Sequence, residues 1–86
     1  MALYAVYLGG TPVAGRMGED HEVVFVVAGD VKTMKSAAKA KWRGHGKPHV
    51  DAYEELTAVD GYAITLVPSA GTADRQITDD NEVPHN

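Results

Sequence analysis

No cysteine occurs in this chain. Disulfides, thiol catalysis and zinc sites built on thiolates are therefore excluded, and a reducing cytoplasm is the expected setting. No apolar run is long enough for a membrane. The first, Ala2 to Leu8, has no basic residue ahead of it and stops at Gly9-Gly10, well short of the roughly 20 residues of a span. We expect neither a signal peptide nor an anchor. No serine sits on a nucleophile elbow, since Ser36 falls in a helical segment and Ser69 in the tail. Gly9-Gly10 lacks the Lys-Ser/Thr step of a phosphate loop and reads as a turn that ends a strand. No internal repeat is visible. No enzymatic reaction is assigned by these residues, and no cofactor is required by them.

What is present is 86 residues, enough for one domain. A chain this short buries only about 60–65% of its unfolded surface, which leaves a thin stability margin. The net charge of −4 hides a segregation. Lys32, Lys35, Lys39, Lys41, Arg43 and Lys47 are six of the eight basic residues, and Asp30 alone offsets them there. Asp74, Asp79, Asp80 and Glu82 make the end acidic against Arg75. Such runs are ordinarily solvated faces and solubilising tails. The sharper expectation is an anion-binding row of Lys32, Lys35 and Lys39 on one helix face, with Trp42 and Tyr53 as stacking rings. Against nucleic acid stands the negative overall charge, which opposes phosphate.

Residues 2–8 are apolar at odd and even positions alike, the pattern of a strand buried on both faces and central in a sheet. Gly9 to Asp20 holds four glycines and a proline and reads as a long loop. His21 to Ala28 is the strongest strand. Val23, Phe25 and Val27 share one face with His21; Val24 and Val26 share the other with Glu22. Asp30 can cap a helix running to about Trp42, with Val31, Met34, Ala38 and Trp42 as its apolar stripe. Pro48 to Thr57 reads as a strand with His49, Asp51, Tyr53 and Glu55 on one face and Val50, Ala52 and Leu56 on the other. Asp60-Gly61 signals a hairpin, and residues 61–67 form the last expected strand. Residues 1–67 are then a single α+β domain of order β-β-α-β-β, with one helix on a four-stranded, mostly antiparallel sheet. First and last strands would pair in parallel at its centre. Residues 68–86 form a polar, acidic tail expected to be flexible.

Histidines and carboxylates gather where these strands begin. Glu19 with His21, and His49 with Asp51, stand two residues apart, so each pair shares a side of its strand. Imidazole with carboxylate suits zinc, iron, nickel or manganese. Glu19, His21, His49 and Asp51 are the candidate ligand-binding residues, and His21, His49 and Asp51 the metal candidates, with His45 able to join from a loop. No standard metal spacing is matched, and the ordinary reading is histidines bonded to carboxylates or backbone at strand ends. A third class, a protein-partner module, needs only open strand edges and an aromatic face, for which Tyr4, Tyr7, Tyr53 and Tyr62 suffice.

Tyr7-Leu8-Gly9-Gly10, Glu19-x-His21-Glu22-Val23-x-Phe25-Val26-Val27, Trp42-x-Gly44, His49-Val50-Asp51 and Val59-Asp60-Gly61-Tyr62 occur in that order. Over about residues 3–66 the chain resembles the bacterial domain-of-unknown-function family DUF1543. It departs from that pattern in carrying Asp20 where an apolar residue is usual and Glu22 where aspartate is usual. The resemblance implies no activity. Many members look like two related halves in one chain, whereas this chain holds a single half. A lone half leaves exposed what its partner would cover, so a homodimer is the expected state. The sequence-level expectation is a small self-associating binding module, with a metal- or small-ligand-binding protein or enzyme using the His/carboxylate residues, or a weak nucleic-acid binder through the basic helix, as alternatives.

Overall fold

The computed structural model describes residues 1–11 and 18–70. Strand β1 spans Ala2–Thr11, β2 Asp20–Ala28, helix α1 Val31–Ala40, and β3 His45–Glu55. Two short strands follow, β4 at Ala58–Val59 and β5 at Tyr62–Ala63. The main sheet has three strands in the order β2-β1-β3, with both pairings antiparallel. The first strand is central, as its two-sided apolar pattern predicts.

Alternation sorts the residues of these strands into two faces. Tyr4, Val6 and Leu8 stand opposite Val26, Val24 and Glu22. On this side α1 lays Met34 and Ala38, both fully buried, and the core forms between them. The helix starts where Asp30 accepts a 2.7 Å hydrogen bond from the Thr33 backbone N–H. It ends at Ala40, two residues before the expected Trp42, with Lys41 as its cap. Freed from the helix, Trp42 donates its indole N–H to the His45 carbonyl at 3.2 Å and packs against the core.

Three expectations are corrected. Gly9-Gly10 does not end the first strand, which runs on to Thr11. Both glycines serve close approach rather than a turn: a Cβ on Gly10 would lie 3.0 Å from the Trp42 ring and 3.2 Å from the Pro48 backbone. The expected long loop therefore begins later, and residues 12–17 of it lie outside the described residues. Among the described residues the sheet also lacks the fourth strand. Residues 61–67 do not enter it, because β2 and β3 already occupy both edges of β1. Instead β5 folds back on β4 as a separate two-stranded hairpin. Its turn is Asp60-Gly61, with φ of 54° and 84°, the left-handed pair that a tight hairpin needs. Finally, β3 begins at His45 rather than Pro48, and it is bulged. Tyr7 pairs with Ala52 and Leu8 with Val50, so Asp51 is an extra residue without a partner on β1. The bulge flips the residues beyond it. Tyr53 faces the helix side with Val6, edge-on to Tyr4 at 6.2 Å between ring centres, while His49 faces the other side with Gly9.

Residues 68–70 carry no helix or strand, and the rest of the expected tail lies outside the described residues. Among the described residues no helix is long and apolar enough to cross a membrane.

Candidate functional site: imidazoles and carboxylates over a glycine

The side of the sheet away from α1 carries the candidate residues. Gly9 of β1 pairs with His21 on one flank and with His49 on the other. Three neighbouring strands thus place the two imidazoles in one row, their backbones about 10 Å apart, with no side chain between them. Both rings and the Asp51 carboxylate lean into that gap. A Cβ on Gly9 would meet Asp51 Oδ2 at 2.8 Å, His49 Nε2 at 3.0 Å and His21 Nδ1 at 3.2 Å. Glycine leaves open the space that the cluster fills.

His49 Nε2 lies 2.9 Å from Asp51 Oδ1, the shortest contact of the cluster. His21 Nδ1 is 3.5 Å from Asp51 Oδ2, and His21 Nε2 is 3.7 Å from Glu19 Oε1. The other Glu19 oxygen is 3.8 Å from His49 Nε2. All four side chains are between 40 and 63% exposed. The bulge at Asp51 gives its carboxylate the freedom to serve both histidines. With the imidazoles neutral, the cluster carries two negative charges and four nitrogen or oxygen donor groups. It can hold a cation or bind protons. Among the described residues no three acid or imidazole groups already surround one point as a bound metal requires. His21 divides its two nitrogens between Asp51 and Glu19 instead.

Beside the cluster, Tyr7, Leu8, His21, Glu22, Val23 and Asp51 line a shallow cleft of about 350 Å³. Beyond it runs an uncovered apolar surface. Tyr7 is 38% exposed, Val23 44%, Phe25 52% and Val27 47%. Tyr7 donates its hydroxyl to Glu54 Oε1 at 3.3 Å on the same side.

The structure brings together all four sequence candidates, Glu19, His21, His49 and Asp51. It does not bring in His45, which lies in β3 opposite Thr11. The anion candidates Lys32, Lys35 and Lys39 are exposed on α1, but Lys35 rests its Nζ 5.7 Å from the Tyr53 ring centre. Trp42 is packed against the core rather than free to stack. Gly9 joins the site although the local pattern Gly9-Gly10 predicts only a turn. Its role depends on the His21–Gly9–His49 register, and no local pattern announces a register.

These features define a class: a small α+β domain with one covered sheet face and one open face that ends in a polar cluster. The chain belongs to the family described as Domain of Unknown Function (DUF1543), whose model matches residues 16–66. The matched span includes Glu19, His21, His49 and Asp51, while Tyr7-Leu8-Gly9-Gly10 precede it. No curated protein and no solved structure matches the chain.

Proposed function

We propose that this protein is a small cytoplasmic interaction module that pairs with a second copy of itself through the open face of its sheet. The observation that carries this reading is the row Tyr7, Val23, Phe25 and Val27, large apolar side chains left 38–52% exposed on one flat surface. Geometry favours the face over the edges. The β2 edge is guarded by Lys41, whose Nζ donates to the Phe25 carbonyl at 2.6 Å. The β3 edge is broken by Pro48, by its bulge and by a second register shift opposite Gly9 to Thr11. A face shared by two identical copies closes under two-fold symmetry and needs no other partner.

Nine residues at about 3.3 Å by three strands at about 4.8 Å project roughly 400 Å² per copy. A standard interface contributes about 800 Å² per partner. The association is accordingly weak and set by concentration. Sedimentation across a wide concentration range tests it. The weight-average mass is expected to climb from the monomer's 9.2 kDa toward twice that value. A strict monomer at the highest concentration overturns the reading.

A further inference from the structure

We propose that Glu19, His21, His49 and Asp51 form a binding site for one divalent first-row transition-metal ion, of which Zn²⁺ is the type, seated over Gly9. The inference stands independently of self-association. Three features of the cluster carry it.

The donor set is two imidazoles and two carboxylates, which matches borderline cations and neutralises a divalent charge. Mg²⁺ and Ca²⁺, which prefer all-oxygen shells, fit it poorly. One point is also shared: the position a Cβ would take on Gly9 lies 2.8 Å from Asp51 Oδ2, 3.0 Å from His49 Nε2 and 3.2 Å from His21 Nδ1, so each donor moves by about 1 Å to reach the roughly 2.0–2.2 Å of a metal ligand. Finally, the residues come from two separate places in the chain, 19–21 and 49–51, and converge over the one residue type that leaves room for them, and a Cβ at Gly9 would strike three of the donors.

The donors ring the space without all pointing into it, since His21 turns one nitrogen toward Asp51 and the other toward Glu19. His21 and His49 are 63% and 54% exposed, so their rings turn without disturbing the core. Binding exchanges the 2.9 Å His49–Asp51 contact for metal–ligand bonds.

The test is isothermal titration of the full chain with ZnCl₂, paired with thermal melts with and without EDTA. One ion per chain is expected, with a Tm that rises on loading and falls back on chelation. His49→Ala and Asp51→Asn are expected to weaken binding by more than about 100-fold, beyond the roughly 10–100-fold that loss of an outer partner of a metal ligand costs. Gly9→Ala is expected to weaken it without removing any donor. His45→Ala, outside the cluster, is expected to bind like the parent. The exposed positions of residues 49 and 51 keep those variants folded, and far-ultraviolet dichroism checks this. Absence of heat and of a Tm shift overturns the proposal. So does an affinity unchanged by His49→Ala and Asp51→Asn, which would place the ion on other histidines.

Discussion

The two faces of one sheet are made from alternate residues of the same strands, yet they meet different fates. Val24 and Val26 are 2% and 3% exposed beneath α1; Val23 and Val27, their immediate neighbours, are 44% and 47% exposed on the far side. The side chains are chemically identical, so composition does not explain the contrast. The helix does. The described residues supply one helix, of ten residues, and one helix covers one face. The strands nevertheless read as though both faces were to be buried. The open face is therefore built to a specification that the described part of a single copy does not meet.

The contrast is broken most severely from the covered side. Leu8 is 1% exposed and sits in the core with Met34. Leu8→Ala is expected to cost about 3 kcal/mol through lost burial and an unfilled cavity. For a domain of this size that lowers Tm by more than about 10 °C, which calorimetry would read directly. An unchanged Tm would mean that the covered face is not the core.

The adjacent glycines of β1 sharpen the same comparison, because each lies under a different face. Gly10 sits against Trp42 and the Pro48 backbone, neither of which gives way easily. Gly10→Ala is expected to cost about 1–3 kcal/mol and to shift the emission of the single tryptophan. Gly9 sits beneath the mobile ends of exposed side chains, so Gly9→Ala is expected to leave Tm nearly untouched. Equal losses at both positions would erase the distinction between a packed face and an open one.

Much of this was legible beforehand. The alternation around His21 assigns Val23, Phe25 and Val27 to one face and Val24 and Val26 to the other, and the structure agrees. Asp30 marks the helix start and Asp60-Gly61 the hairpin turn, each through local backbone chemistry. Glu19 with His21, and His49 with Asp51, stand out in the sequence as two imidazole–carboxylate pairs, but their meeting over Gly9 depends on a register that the sequence does not print. What failed was non-local. The bulge at Asp51 moves Tyr53 and Glu55 to the face opposite His49, and a single extra residue is invisible without the partner strand. The hairpin satisfies its own backbone, with Ile64 N–H bonded to the Thr57 carbonyl at 2.9 Å. The last expected strand was thus lost to a local pairing, and the central position beside β1 was already filled.

The open face responds to substitution in its association, not in its folding. Phe25 is 52% exposed and opposite the small Ala5. Phe25→Ala is expected to change monomer stability by about 0.5 kcal/mol or less, yet to weaken self-association about tenfold, the loss of roughly 1.4 kcal/mol of aromatic contact. Sedimentation and melts on the same samples separate the two effects. If Phe25→Ala unfolds the protein instead, the open face is part of the core.

The smallest expected effect tests the helix that creates the asymmetry. Asp30 caps α1, and its carboxyl is held below its ordinary value of 3.8, first by the Thr33 backbone N–H and then by the Thr33 side chain. A carboxyl depressed in the folded state stabilises above its unfolded value and loses that contribution as pH falls through its lower folded value. Asp30→Ala is expected to lower Tm by less than the core substitutions at neutral pH, by an amount that stays constant down to about pH 5 and shrinks below the ordinary carboxylate value near 3.9. Melts of both proteins from neutral pH into acid measure the gap. A gap that widens in acid would mean that the ionised cap is not what starts the helix, and the covering of one face would need another cause.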